Sequence, residues 1–180
     1  DLDAIGYYKS ELEVQNSVQD TFRMFAIYNN IGKAFLGLGY YDSARHYLRG
    51  VEPFLNPQFE HFFSIYFFNL AELNFEEQKF DQADSLLKLT WENANEFNSG
   101  RGIIRANQLQ AEYDMAMGKP NDAFEFAKTG YDLAVESGVK ELIYLTSKTL
   151  SRSYGMLNEF EEAYKYEQLH EQYLDSVQNV

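Results

Sequence analysis

The stretch that decides the fold is YNNIGKAFLGLGYYDSARHYL, residues 28–48. Its first half places large apolar side chains three or four residues apart, at Tyr28, Ile31 and Phe35. This spacing lines one face of an α-helix. Glycines at positions 37 and 39 interrupt the pattern, and a second periodic stretch follows from residue 41. The segment therefore predicts two consecutive helices joined by a tight turn.

The same arrangement recurs along the chain with a period of 39–40 residues. An alanine follows an acidic or polar turn in the segments LDA, YYDSA, KFDQA, PNDA and EFEEA. These alanines are Ala4, Ala44, Ala83, Ala123 and Ala163, at spacings of 40, 39, 40 and 40. A fixed period of this length is typical of repeat proteins.

Each period contains two helical patterns, one on either side of the alanine turn. The first helices are predicted over 18–38, 57–78, 101–117 and 139–156, and the second over 41–54, 80–97, 121–137 and 159–177. Asn, Gly, Ser and Pro residues occupy the breaks, as expected at helix ends. Because almost no strand alternation is present, the sequence predicts an all-α fold of antiparallel helix pairs.

Residues 28–48 resemble a tetratricopeptide repeat (TPR), a motif with an aromatic residue, a small residue, a turn and an alanine in fixed order. The matching residues are Tyr28, Ile31, Gly32, Phe35, Ala44 and Leu48, followed in the next period by Phe67, Leu70, Ala71, Phe80, Ala83 and Leu87. The later periods depart from the motif, with polar residues at Asn107 and Ser151. The period also exceeds the family's typical length of about 34 residues.

This resemblance implies a right-handed α-solenoid of about four repeats with a partial helix at the N-terminus. Residues 1–15 are then the second helix of a truncated repeat. The four repeats span residues 16–56, 57–100, 101–138 and 139–180.

Composition narrows the range of functions. Of 180 residues, 45% are hydrophobic and 17% aromatic, enough for a packed core, and cysteine is absent. The net charge of −13 opposes binding of nucleic acid, so none is expected for this segment. The aromatic run FEHFFSIYFFNLAELNF (59–75) is interrupted by Glu60, His61, Asn69 and Glu72. Direct membrane insertion is therefore not expected.

No catalytic, cofactor-binding or metal-binding constellation is visible in the sequence. The histidines at 46, 61 and 170 lack ligand spacing, and no glycine-rich phosphate loop follows a strand. The acidic pairs Glu76-Glu77 and Glu161-Glu162 are interpreted as solvated helix ends. The sequence therefore favours a binding module without enzymatic activity.

The family resemblance implies a concave binding wall formed by the first helix of each pair. Offsets from the turn alanines select the candidate partner-binding residues. They are Asn29, Lys33, Ile65, Phe68, Glu72, Phe75, Arg105, Gln108, Glu112, Lys148 and Arg152. A subset of the family holds chaperone tails with a lysine–asparagine clamp. Asn29 and Lys33 present these two types in reversed order, so that partner is not expected.

One row of this wall alternates in charge, and two interpretations of it stay open. Lys33, Glu72, Glu112 and Arg152 have the signs plus, minus, minus and plus. They form either two salt bridges between repeats, Lys33 with Glu72 and Glu112 with Arg152, or a polar strip that binds a cationic or amide-rich peptide. Exposed salt bridges of this kind contribute only about 0–1 kcal/mol each.

The final helix ends in YLDSVQNV, which resembles the exit of repeat arrays in bacterial signalling proteins. That resemblance implies a protein- or peptide-binding sensor segment of a larger signalling or transcriptional regulator. The alternative is a structural scaffold or self-association module that forms homo-oligomers. The sequence does not choose between a cytoplasmic and a periplasmic location.

Overall fold

The computed structural model describes residues 2–15 and 20–178 of the chain. Within these ranges the chain forms nine α-helices and no strand, which confirms the predicted all-α class. The α-helices are α1 (Leu2–Gln15), α2 (Thr21–Gly37), α3 (Tyr41–Arg49), α4 (Phe63–Glu76), α5 (Phe80–Glu96), α6 (Gly100–Ala116), α7 (Pro120–Ser137), α8 (Lys140–Met156) and α9 (Phe160–Gln178). Two short 3-10 helices, Glu52–Phe54 and Pro57–Phe62, lie between α3 and α4.

The same backbone turn joins the two helices of every pair. Its three residues are 38–40, 77–79, 117–119 and 157–159. The middle residue is left-handed in each case: Gly39 (φ 76°), Gln78 (φ 59°), Gly118 (φ 72°) and Asn158 (φ 62°). The following N–H donates to the carbonyl five residues earlier, over 2.9, 2.8, 2.9 and 3.0 Å respectively. This is the Schellman helix ending, which reverses the chain and satisfies terminal carbonyls.

Two of these turns do not use glycine. A left-handed conformation costs an ordinary L-residue roughly 1–2 kcal/mol, and asparagine tolerates it better than most. Gln78 and Asn158 therefore adopt the turn because the helices on either side require it. The sequence pattern shows the turn most clearly where Gly39 and Gly118 stand.

Small residues bring paired helices close together. A Cβ atom placed on Gly32 of α2 would lie 2.6 Å from Cγ of Leu48 in α3. The turn alanines Ala44, Ala83 and Ala123 are buried, whereas Ala163 is only partly buried. The side chain of Ala4 lies outside the described side chains. Close helix approach thus explains the small residues that the sequence repeats.

The chain divides into two compact units, residues 1–93 and residues 94–180. In the first unit, α2 packs against α1, α3 and α4. In the second unit, α6 packs against α7 and α8, and α8 also packs against α7 and α9. Within each unit, first helices of successive pairs contact one another, α2 with α4 and α6 with α8. The predicted repeat bounds at 16–56, 57–100, 101–138 and 139–180 stay predictions.

The first unit departs from the predicted helix limits between residues 50 and 62. The helix expected over 41–54 ends at Arg49, and α4 begins at Phe63 instead of residue 57. Gly50 lies against the ring of Tyr28, where an added Cβ would come within 2.4 Å. Pro53 then removes a backbone donor, so a regular α-helix cannot continue. The chain crosses this region as two 3-10 helices.

Aromatic side chains of α2 pack against the second of these 3-10 helices. Phe22 lies 5.1 Å from Phe59 and 4.9 Å from Phe62 between ring centroids. Phe25, Val51 and Tyr66 form the buried centre of the cluster. Burial raises the pKa of Tyr66 to about 12, because the charged phenolate would lose its solvation in this cluster. Most of the aromatic excess in residues 59–75 is thus core.

The second unit accommodates a polar residue where the TPR pattern expects a large apolar one. Asn107 of α6 is buried, and its Nδ2 donates to the carbonyl of Ile103 over 2.9 Å. A Cβ on Gly130 of α7 would lie 3.1 Å from that of Asn107. The missing volume at Asn107 is therefore matched by close approach of α7.

Among the described helices, none combines the length and apolarity needed to cross a bilayer.

Substitution of Gly32 by alanine tests the close approach of α2 and α3. The added methyl overlaps Leu48, and overpacking of this kind costs about 1–3 kcal/mol. This outweighs the gain of about 1 kcal/mol in helix propensity. Gly32→Ala should therefore lower the denaturant midpoint. Gly37→Ala is the matched control because nothing lies within 4 Å of its added Cβ. Equal midpoints for the two variants would contradict the close contact.

Candidate binding surface

In the first unit, the predicted wall residues lie on α2 and α4 but differ in exposure. Lys33 is exposed, whereas Ile65, Glu72 and Phe75 are partly buried. Asn29 and Phe68 each expose only 4% of their surface. Lys33 is therefore the most accessible member of this set, and Ile65, Glu72 and Phe75 are accessible in part. The expected pairing of Lys33 with Glu72 stays a prediction.

Phe68 does not offer the exposed aromatic surface that its offset suggested. Its helix, α4, buries residues around its whole circumference: Ser64, Tyr66, Phe68, Asn69, Ala71, Leu73 and Asn74. A helix that is buried all round belongs to a core and lacks a broad solvent face. Truncation of a buried phenylalanine costs about 3–5 kcal/mol. Phe68 is thus a packing residue, and Phe75, which contacts Phe80 at 5.8 Å between ring centroids, is the more accessible of the two.

Asn29 serves as a tether between first helices. Nδ2 of Asn69 in α4 donates to Oδ1 of Asn29 in α2 over 2.9 Å, and both side chains are buried. A buried amide without a partner is costly, so each asparagine fixes the position of the other. Asn69 was not among the predicted residues. Its polar side chain within the aromatic run was the only sequence signal of this role.

In the second unit, three predicted residues form a hydrogen-bonded chain along α6. Arg105 Nη1 donates to Oε1 of Gln108 over 2.8 Å, and Gln108 Nε2 donates to Oε1 of Glu112 over 3.2 Å. Spacings of three and four residues place such side chains on one helix face. Thr149 of α8 completes the chain, since its Oγ1 donates to the same carboxylate oxygen over 3.1 Å. Arg105, Gln108 and Glu112, three members of the predicted set, therefore belong to a connected network that joins α6 to α8.

The expected ion pair between Glu112 and Arg152 is not formed. In the described part of this unit, Glu112 accepts hydrogen bonds from Gln108 and Thr149, and Arg152 makes no ion pair within 4.0 Å. Thr149 was missed because a threonine in a helical pattern gives no sign of its partner. The carboxylate of Glu112 therefore accepts hydrogen bonds from α6 and α8 of the second unit.

Lys148 and Arg152 are the exposed members of the predicted set on α8. They lie four residues apart, on one side of the helix. The residues between them are fixed, because Thr149, Leu150 and Ser151 are all buried. The α8 backbone is therefore held by the core of the unit while two cationic side chains reach solvent.

The three histidines lie apart from one another in different local environments. His46 and His61 are exposed in the first unit. His170 of α9 is buried, stacks on Tyr144 at 4.2 Å, and places Nδ1 2.8 Å from the carbonyl of Tyr144. It thereby holds α9 against α8. Across the described residues, no group of three His, Asp or Glu side chains is arranged to hold a metal ion.

Comparison with known proteins identifies the fold. No protein-family model matches the chain. No curated protein matches it in sequence. Its structure is similar to a crystal structure from Podosopora anserina, described as a kinesin light chain with nearly identical TPR-like repeats. The TM-score is 0.59 at 14% sequence identity, over 99% of this chain and 89% of that chain. The chain therefore has a TPR-like fold, and the predicted α-solenoid class of antiparallel helix pairs is confirmed.

A double-mutant cycle tests the tether between Asn29 and Asn69. Either Asn29→Ala or Asn69→Ala leaves the other buried amide unpaired and should cost about 1–3 kcal/mol of unfolding free energy. The double variant should cost less than the sum of the two. Urea denaturation measures all three. Asn30→Ala, one residue along α2, is the control and should change stability by no more than about 0.5 kcal/mol. Strict additivity of the two single variants would show that the bond has no energetic role.

Proposed function

We propose that this chain is a protein- or peptide-binding module that uses the first helices of its TPR-like pairs. The supporting observation is the contrast along α8: its core side is buried, while Lys148 and Arg152 are exposed at the offsets where the family's binding wall lies. In the first unit, Lys33 of α2 is exposed and Phe75 of α4 is partly exposed at the corresponding offsets of their own helix pairs. TPR-like folds commonly serve as non-enzymatic binding scaffolds, and a non-enzymatic role is proposed here.

Site-specific photocrosslinking tests which helices contact the partner. A benzophenone amino acid placed at Lys33, Phe75 or Lys148 should capture a discrete protein adduct in a lysate of the native host. The matched positions are Leu89 on α5 and Val135 on α7, which are exposed on second helices. They should give no adduct, because the proposed binding surface lies on first helices only. Adducts at the second-helix positions alone would reject the proposal.

Self-association is the second candidate, and the exposed aromatic residues of α9 favour it. Phe160 and Tyr164 expose 67% and 65% of their surface. Phe124, which stands forty residues before Tyr164, instead contacts Tyr154 of the next helix pair at 4.9 Å between ring centroids. Tyr164 thus occupies a position that elsewhere packs against a neighbouring helix. In a self-associating scaffold, a helix from a second copy of the chain would pack against Tyr164.

Light scattering across concentrations tests self-association. If α9 is the interface, the wild type should form a dimer that Phe160→Ser with Tyr164→Ser abolishes, because two aromatic contacts are removed. Leu89→Ser, at a residue that is 41% exposed on α5, should leave the mass unchanged. A monomeric wild type throughout the range would exclude the scaffold alternative for this chain alone.

We further propose that the module is the sensing segment of a larger bacterial signalling or transcriptional regulator. The support is the likeness of the last helix to the exits of such arrays. The adjoining coding sequence offers a direct test. A kinase or DNA-binding domain next to this segment supports a sensor, whereas further repeats alone support a scaffold.

A further inference from the structure

We infer that residues 57–62 and α4 form a two-state element, and that Asn93 of α5 holds it in an interrupted state. In that state residues 57–62 are a 3-10 helix and α4 begins at Phe63. In the other state α4 would begin at Pro57 as one continuous α-helix. All the residues involved lie in the first unit, and the inference does not depend on the proposed binding function.

The local sequence around Pro57 favours the continuous helix. The side chain of Asn56 accepts a hydrogen bond from the N–H of Gln58 over 3.0 Å, which is the usual cap of a helix start. Pro57 follows at the start of the helix, where proline is favoured. A 3-10 helix rarely runs beyond three or four residues, and a longer one often marks a hinge. The six residues of this 3-10 helix therefore need a cause outside the segment.

The cause is the side-chain amide of Asn93, which replaces one hydrogen bond of an α-helix. In a continuous helix the N–H of Ser64 would donate to the carbonyl of Glu60. Instead, Ser64 N donates to Oδ1 of Asn93 over 2.7 Å, and Nδ2 of Asn93 donates to the Glu60 carbonyl over 2.9 Å. One buried side chain thus satisfies both ends of the missing bond, and a side chain inserted in this way interrupts a helix.

The interrupted state leaves one polar group unpaired. Oγ of Ser64 is buried and has no hydrogen-bond partner among the described residues. A helical serine can donate to the carbonyl four residues earlier, which here belongs to Glu60. That oxygen already accepts from the N–H of Phe63 and from Asn93. Each state therefore satisfies a group that the other leaves unpaired, since the continuous helix would free Glu60 for Ser64 but release the amide of Asn93.

The state of this element sets where an aromatic side chain points. Successive residues turn by about 120° in a 3-10 helix and by about 100° in an α-helix, so extension of α4 would rotate Phe59 by about 80°. Phe59 now lies 5.1 Å from Phe22 of α2 between ring centroids. Phe62, which adjoins α4, would turn by only about 20°. The element therefore decides whether Phe59 covers Phe22, which already exposes 37% of its surface.

Distances between two spin labels measure the state directly, because the chain has no cysteine and labels attach only where one is introduced. Gln58→Cys and Glu76→Cys place the labels at exposed positions near the two ends of the element. Asn93→Leu replaces the amide with an apolar group of similar shape. It should shorten the distance by about 2–3 Å, since an α-helix rises about 1.5 Å per residue and a 3-10 helix about 2.0 Å. NMR should then show the contact between Hα of Glu60 and the N–H of Ser64 that is typical of an α-helix.

Thr90→Val is the matched control. Thr90 is buried on the same helix, three residues before Asn93, and its Oγ1 donates to the carbonyl of Leu86 within α5. The control should therefore leave the label distance and the NMR contacts of residues 57–64 as they are in the wild type. Asn93→Ala removes the amide without adding bulk and serves as the second variant if leucine does not fit. Circular dichroism verifies that each variant is folded.

A shorter label distance together with the contact between Glu60 and Ser64 in either Asn93 variant supports the inference. It is overturned if the folded variants keep the 3-10 pattern, if residues 57–62 lose ordered structure, or if Thr90→Val shortens the distance equally. Failure of both Asn93 variants to fold would also overturn it, because the continuous helix must be an alternative native state. None of these measurements involves a partner, so the crosslinking test of the binding function is decided separately.

Discussion

A backbone N–H that donates to the carbonyl five residues earlier ends the first helix of every pair, and it requires a left-handed residue in between. This bond reverses the chain within three residues and brings the second helix back along the first. The small residues then become necessary, because antiparallel helices joined so tightly must approach closely. Gly32 against Leu48 is the tightest example. The period of the sequence follows from repetition of this one turn.

Hydrogen bonds between polar side chains also join the first helices of successive pairs within each unit. In the first unit, the buried bond between Asn29 and Asn69 ties α2 to α4. In the second unit, Glu112 and Thr149 tie α6 to α8. These bonds decide which side chains of the first helices stay accessible, because a side chain that bonds inside a unit is no longer available to another molecule. Hydrogen bonds between first helices therefore decide which polar groups of the candidate surface remain available.

Helix positions were predicted well from sequence, while side-chain roles were predicted unevenly. Gly39 and Gly118 marked the turns, but Gln78 and Asn158 took the same geometry without a clear signal. The helix expected over 41–54 ended early at Arg49, because Gly50 packs under Tyr28 and Pro53 removes a donor. At Gln78 and Asn158 packing outweighed local propensity, whereas Pro53 ended a helical pattern through its own backbone chemistry.

The sequence alone determined the all-α class and the helix pairs, because periodic apolar spacing and turn residues act over a few positions. Tertiary structure alone decided that Phe68 is buried, that Glu112 bonds to Thr149, and that Lys148 and Arg152 keep exposed charge. Pairing depends on residues 37 to 40 positions away, as in Glu112 with Thr149 and Asn29 with Asn69. Short-range patterns therefore fix the elements, and contacts between elements decide which side chains a partner can reach.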